Sequence, residues 1–530
     1  MLIDRIGRLK MSFNFWVGWV LFFSSLLVTA PFPAYSATAS QTAAWESVGL
    51  NKFDLFKQYL GTASGGDGSS AYRRVTQAMA RKAIADASEA GVTYFRISAT
   101  GYAPAVHGEK GDLDLWLNAP ASYWELYDKM MSDLQNRGMR IIPTFVWNVS
   151  QLPAITGETV PDLLRDPASR SYLLLVKFVT EFIERYRGHR ALLFYELTNE
   201  LNRGADLDLL DRCQRKKSPR LCGPTGNYTT ADVINFTTRL AALIRGLDSS
   251  RPISSGFSAP RPAAQRLRTT PEWTSGKTDW RPDSREEFEK YLEETHRPVD
   301  IISVHLYDKG ARRRFGPTDE VDFLNAIDQA ARRIGKPLFV GEFGDPGAPD
   351  AGPGSFTERM LDRIVALKVP YSAVWIWQFY QRNPYTVYDN KHNRFSLEPG
   401  YTDPLIKKIT AANKALGASV PSKADPDKVA PHVVLTWPLE CTPVPDGQTL
   451  YAVASDNSGA VERVEFWLGD RKIGVDSTPP YEEKLTLGGL AGGEQEIVAK
   501  AFDPNGNSAQ YKTVVIVGPP VAGGICAGTL

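Results

Sequence analysis

Between residues 45 and 417 the chain alternates two kinds of hydrophobic pattern. Short apolar runs rich in β-branched and aromatic residues recur eight times, at 48–56, 92–98, 139–147, 191–200, 252–257, 300–307, 337–344 and 372–379. Each is followed by a longer stretch with apolar positions three and four apart, as in SYLLLVKFVTEFIERYRG at 171–188 or VDFLNAIDQAARRIG at 321–335. Strands apolar on both faces belong in a covered parallel sheet, and the helical stretches supply the crossovers that parallel pairing needs. Eight such repeats predict a closed (β/α)8 TIM barrel rather than an open doubly wound sheet. An open sheet would carry a phosphate-binding glycine loop after its first strand, and the run at 48–56 has none.

The pattern changes after Ala418. Residues 418–430 are rich in Pro, Ala, Lys and Asp and read as a linker. From Pro431 to the end short alternating strands take over. In VERVEFWLG, Val464, Phe466 and Leu468 share one face, and Glu465 and Trp467 the other. The turn DPNGN at 503–507 separates two more such runs, so residues 431–530 predict a small all-β immunoglobulin-like sandwich, in which Trp467 faces outward. At the other end, Arg5, Arg8 and Lys10 precede the apolar run NFWVGWVLFFSSLLVTA, followed by prolines and small residues. Residues 1–39 therefore read as a signal peptide, with an uncleaved membrane anchor as the alternative, and residues 40–417 as the barrel. The chain is expected to be secreted or periplasmic.

Composition adds constraints. The chain has 530 residues, 43% of them hydrophobic, and a net charge of +1, so no basic footprint points to nucleic acid. The cysteines lack the paired spacing of a zinc site, and in an oxidising compartment they are expected to form disulfides, Cys213 with Cys222 and Cys441 with Cys526. No metal or organic cofactor is expected, and a monomer is.

Barrel enzymes carry their chemistry at the C-terminal ends of the strands. Here those ends offer Arg96, then Trp147 and Asn148, then Asn199 and Glu200, then His305 and Tyr307, then Glu342, and finally Trp375 and Trp377. Singly, each has a bland reading as core packing, a helix start or an ion pair. Together they exceed what a purely structural rim needs. Two carboxyl groups are the requirement for cleaving a glycosidic bond. Glu342, beside Arg96 and Tyr307, is expected to stay anionic and act as nucleophile. Glu200 is expected to be the acid/base, its pKa lifted by burial and by the charge of Glu342. Asn199 is placed to grip the 2-hydroxyl of the reacting sugar, and Trp377 to form the floor beneath it.

The segments VGLN, FRIS, YELTNE, ISVHLYD, KPLFVGEFG and VWIWQF resemble successive barrel strands of glycoside hydrolase family 5, over roughly residues 45–417. The resemblance implies a retaining (β/α)8 enzyme with Glu200 as acid/base and Glu342 as nucleophile, and with Arg96, Asn199, His305, Tyr307 and Trp377 around the sugar. Cellulase-type members end the third strand on histidine, whereas this chain has Trp147 and Asn148, which leans towards mannanase-type members. The C-terminal segment is similar to bacterial immunoglobulin-like modules of secreted enzymes. The expectation is a β-1,4-polysaccharide hydrolase of mannan or glucan type. A β-glucosidase or transglycosylase acting on oligosaccharides, and a non-catalytic carbohydrate-binding envelope protein, stay open.

Overall fold

The computed structural model describes residues 46–60, 77–100, 113–215, 224–274, 278–308, 312–345, 354–379, 396–400, 402–418, 430–456, 461–478, 481–489 and 492–519, with single positions 276, 310, 524 and 526. The expected targeting segment at 1–39 and most of the linker lie outside the described residues. No helix among the described residues is long and apolar enough to cross a membrane.

Eight parallel strands run in chain order: β1 (Ser47–Asn51), β2 (Tyr94–Ser98), β3 (Arg140–Val146), β4 (Tyr195–Thr198), β5 (Ile253–Ser254), β6 (Ile302–Tyr307), β7 (Leu338–Gly344) and β8 (Tyr371–Val374). Each pairs with its sequence neighbours, β8 pairs with β1, and a parallel bridge from Ser254 to Ile301 joins β5 to the approach of β6. The sheet is therefore a nearly closed barrel.

Eight crossover helices surround it: α1 (Gln77–Glu89), α2 (Pro120–Asn136), α3 (Arg170–Tyr186), α4 (Thr230–Leu247), α5 (Arg285–His296), α6 (Glu320–Ile334), α7 (Phe356–Leu367) and α8 (Asp403–Leu416). Their starts follow from local chemistry. Thr229 with Asp232, and Ser284 with Glu287, form reciprocal capping boxes that satisfy the first free N–H groups of α4 and α5. The apolar stripes of the helices and the outward residues of the strands form one continuous core between sheet and helices. Inside the barrel a separate plug of Tyr94, Ile142, Phe194, Ile301, Phe339 and Tyr371 fills the lower lumen.

Two strands are shorter than their apolar runs suggest. KFDLF after β1 turns into the helix Leu55–Leu60, and β8 stops at Val374 instead of running through Phe379.

The C-terminal residues build two antiparallel sheets. One joins His432–Trp437, Thr449–Ser455 and Tyr481–Lys484; the other joins Arg471–Asp476, Arg463–Leu468, Gly493–Phe502 and Ser508–Val517. They enclose their own core, which includes Val464, Phe466 and Leu468 as the alternation predicts. Cys441 and Cys526 are disulfide-bonded, with Cα atoms 5.3 Å apart. Cys213 is also disulfide-bonded, while Cys222 lies outside the described residues. Trp467 is only partly exposed. Its indole N–H donates to Glu465 at 3.2 Å and Lys472 sits 5.8 Å from the ring centre, so the outward ring is already partnered.

Candidate active site

Tyr195 and Leu197 of β4 pack outward against the helices, which leaves Glu196 pointing into the barrel. There it meets Arg96 from β2, the centre of a polar layer above the apolar plug. The Arg96 side chain is fully buried. Its Nε donates to Glu196 Oε1 at 2.6 Å. One terminal nitrogen donates to Glu342 Oε1 at 2.7 Å and to Asn51 Oδ1 at 3.1 Å, and the other to Asn199 Oδ1 at 2.9 Å. Trp147 backs the guanidinium, 4.6 Å from ring centre to Cζ. Burial opposes the Arg96 charge, but Glu196 and then Glu342 outweigh it and raise its pKa further.

Glu342 reaches this layer through a bulge. Phe339 faces the lumen and Val340 the helices, so strict alternation would send Glu342 outward. The register slips by one residue here against both neighbours: Val304 pairs with Val340 but His305 with Glu342, and Ser372 pairs with Val340 but Val374 with Phe343. The extra residue, Gly341, turns Glu342 inward. A Cβ on Gly341 would lie 2.9 Å from His305 Nε2, so glycine also makes room for the imidazole. Glu342 Oε2 accepts a hydrogen bond from the Tyr307 hydroxyl at 2.7 Å. Burial first, then the neighbouring Glu342 charge and hydrogen bond, push the Tyr307 pKa well up, so the phenol stays a donor.

Glu200 sits just past β4 in the left-handed region, at φ 53° and ψ 23°. That conformation is costly for a residue with a Cβ and is held by the backbone around it. The Glu200 N–H donates to the Gly256 carbonyl at 2.8 Å, and the Asn199 N–H to the Val146 carbonyl at 2.9 Å. Gly256 is itself at φ +70°, and a Cβ there would lie 1.6 Å from the Thr198 carbonyl oxygen, so only glycine lets the loop after β5 approach this closely.

His305 Nδ1 stands between the two acids, 3.2 Å from Glu200 Oε1 and 3.5 Å from Glu342 Oε2. An N–H on Nδ1 can donate to the carboxylates, while the buried Nε2 has no hydrogen-bond partner among the described residues. One oxygen from each acid and a ring nitrogen of His305 lie within 4.8 Å of one another. Such a trio is a conceivable divalent-metal set. Here, however, Arg96 and Tyr307 engage the two oxygens of Glu342, while His305 and Arg203 engage those of Glu200. Two guanidinium cations at the same carboxylates oppose a third cation.

Two expectations, for Trp377 and for the Glu200 pKa, are corrected. Trp377 is fully buried in the core between sheet and helices, and its indole N–H donates to the Ala83 carbonyl at 2.9 Å, so it offers no floor to a ligand. Its neighbour Trp375 is partly exposed and stacks on Phe53, with centroids 5.5 Å apart, in a cluster with Trp147. Asn148 is half-buried at the end of β3, where its Oδ1 accepts from the Ser150 N–H at 3.0 Å, and its NH2 is not engaged by that turn. Glu200 is not lifted. Burial raises its pKa, but the hydrogen bond and charge of His305, and after them the Arg203 ion pair, outweigh that and hold it down at about 2.

Glu196, Asn51, Arg203 and the two glycines were not foreseen. Glu196 carried a signal, a charged residue in the middle of an apolar run. Asn51, whose amide donates to the Gly341 and Ala373 carbonyls at 2.8 and 3.0 Å, is the polar end of VGLN. Arg203 carried a weak signal, its i,i+3 spacing from Glu200 across a short helical turn.

A family described as bacterial Ig domain matches residues 431–499. No curated protein matches the chain in sequence. Among solved structures the chain is similar to an endo-β-1,4-mannanase from Thermotoga petrophila, at 14% identity over 89% of this chain and 98% of that one, with a TM-score of 0.46. It is also similar to an endo-1,4-β-mannanase from Rhizomucor miehei, at 13% identity over 70% and 95% of the chains and a TM-score of 0.46. A glycoside hydrolase family 5 mannosidase from the same organism aligns at 13% identity over 70% and 93%, with a TM-score of 0.43.

Proposed function

We propose that the chain is a retaining glycoside hydrolase that cleaves β-1,4-linked polysaccharide of mannan or glucan type by double displacement. The observation that carries the reading is the unequal partnering of two acids only a few ångströms apart. Glu342 has Arg96 on one oxygen and the Tyr307 hydroxyl on the other, a setting for a fixed anion. Glu200 has His305 on one oxygen and on the other an exposed partner, since the Arg203 side chain is 59% exposed.

Glu342 attacks the anomeric carbon while Glu200 gives a proton to the leaving oxygen. The glycosyl ester on Glu342 is then hydrolysed by water, whose proton returns to Glu200. A close pair of carboxyl groups fits this route; an inverting pair stands ~6.5–9.5 Å apart to admit a water between them. Asn199 spends its carbonyl on Arg96, which leaves its NH2 as the donor for the sugar 2-hydroxyl. Trp375 supplies the apolar face under the ring. His305 first and then Arg203 hold Glu200 ionised in the empty site, so a bound sugar must weaken both contacts before Glu200 can carry its proton. The Cys441–Cys526 disulfide supports export to an oxidising compartment.

A second reading has its own observation. The loop after β4 is clamped to the loop after β5 by Arg212, which donates to both oxygens of Glu272, and by the Glu272 N–H on the Asp206 carbonyl. A wall fixed this way favours short oligosaccharides over long chains.

The test is a panel of β-mannan, glucomannan, carboxymethylcellulose, xylan and short oligosaccharides, with product sizes and the anomeric configuration of the first product read by NMR. Cleavage of mannan or glucan with retained configuration is expected. Inversion, or no turnover on any member, overturns the proposal.

A further inference from the structure

The buried polar layer holds three charged groups from the barrel strands: Glu196, Arg96 and Glu342. Two carboxylates share one guanidinium, so the trio carries one net negative charge when all are ionised. Glu196 is the deeper of the two acids, with no exposed side-chain surface against 7% for Glu342. It is also the better secured. Oε1 accepts from Arg96 Nε and from Thr144 Oγ1 at 2.8 Å, and Oε2 from Ser254 Oγ at 3.2 Å. Its attraction ranks ahead of that of Glu342 among the groups sustaining the Arg96 charge.

We infer that Glu196 is a positioning residue whose fixed charge keeps Arg96 from neutralising Glu342 alone, and so sets how the reaction divides between forming and breaking the glycosyl–Glu342 ester. The inference rests on the double-displacement reading.

The argument follows the charge through one cycle. Before reaction the trio is at minus one, and the surplus negative charge faces the anomeric carbon as it becomes positive. In the ester Glu342 is neutral, and Arg96 is left paired with Glu196, so no buried cation is orphaned. When water attacks, the departing Glu342 carboxylate regains its share of Arg96. Without the Glu196 charge each stage shifts in a definite direction. Arg96 then belongs wholly to Glu342, which becomes a weaker nucleophile, and the oxocarbenium-like state faces a neutral trio. The ester leaves a buried unpaired cation, and expulsion of Glu342 becomes easier. Ester formation is slowed while ester breakdown is not.

Glu196→Gln suits the test because it is isosteric. Its carbonyl oxygen accepts from Arg96 and Thr144, and its NH2 lies towards the Ser254 hydroxyl, which can accept. Stopped-flow burst kinetics on 2,4-dinitrophenyl β-mannobioside and β-cellobioside separate the two steps, because dinitrophenol leaves without acid help. Loss of one buried charge near the reacting atoms, equivalent to about one to two pKa units, predicts roughly 10- to 100-fold slower ester formation. Breakdown should be unchanged or faster, so the burst should shrink. A merely structural role would slow both steps together or lower affinity only, and either result overturns the inference. Glu196→Asp keeps the charge and should keep the wild-type ratio of the two rates even if both fall. It carries the test if Glu196→Gln does not fold, and a burst reduced in Glu196→Asp likewise overturns the inference. Trapping wild type with 2-deoxy-2-fluoro-β-mannobiosyl and β-cellobiosyl fluorides separates the two failures. An adduct on Glu342 together with an unaltered burst in Glu196→Gln sinks the inference alone. Absence of any adduct sinks the double-displacement reading, and the inference with it.

Discussion

The Arg203–Glu200 ion pair gives the sharpest handle on the acid. Glu200 is held down at about 2 by His305 and then Arg203, so its carboxyl is ionised near neutral pH. Removing Arg203 takes a cation from the carboxylate, which disfavours the ionised form and raises the pKa. The size of the effect is limited by exposure, since the Arg203 side chain is 59% and the Glu200 side chain 19% exposed. Pairs of this kind contribute up to about 1 kcal/mol, or about 0.7 of a pKa unit. Arg203→Gln should therefore move the basic limb of the kcat/KM–pH profile up by as much as about 0.7 of a unit, the size of the effect on the acid's pKa. His305 remains in place, so Glu200 should still titrate below an ordinary glutamate. The assay compares an oligosaccharide, whose poor leaving group needs the acid, with a dinitrophenyl glycoside, which does not. The limb should move for the first and stay for the second. An unmoved or lowered limb on the oligosaccharide, or equal shifts on both, would refute the role of Arg203. The same linkage acts on stability. The depressed pKa of Glu200 adds stability above about pH 4.5, and that stability is lost as the pH falls towards 2, so Arg203→Gln should lose less on acidification than wild type.

Trp375→Ala should raise KM about tenfold while changing kcat only a few-fold, as expected for loss of a stacking face, whereas Trp377→Ala should cost ~3–5 kcal/mol of stability in denaturant melts. Gly256→Ala would place a Cβ against the Thr198 carbonyl and shift the backbone that holds Glu200, so kcat/KM should fall by about 10²-fold or more with a lowered Tm. Removal of residues 431–530 should leave hydrolysis of soluble oligosaccharide nearly intact, because the barrel and the β-sandwich have separate cores; a truncated chain that fails to fold would contradict this.

The barrel was legible because fully buried parallel strands must be apolar on both faces, and the runs ending in Arg96, Glu200, His305 and Glu342 show it. Side-chain direction was less legible. From Phe339 a period of two turns Glu342 away from the lumen, and only the bulge at Gly341 reverses that. The same rule puts Trp375 and Trp377 on one face only if β8 continues past Val374, and it does not. Glu196 is inconspicuous for the opposite reason. Its place in the alternation was plain, but a strand interior rich in Tyr and Leu invites attention to its polar end at Asn199 and Glu200 rather than to the charge within. The fall in the Glu200 pKa depends first on His305, which the fold brings over from β6, and spacing along the chain does not report that contact.

The nucleophile is the centre of the account, and Glu342→Ala measured with and without azide tests it most directly. Without azide, turnover should fall by several orders of magnitude. With azide on an activated glycoside, activity should return and yield the glycosyl azide of inverted configuration, because the small anion enters from the face that Glu342 vacated. Undiminished activity in Glu342→Ala, or a rescued product of retained configuration, would contradict it.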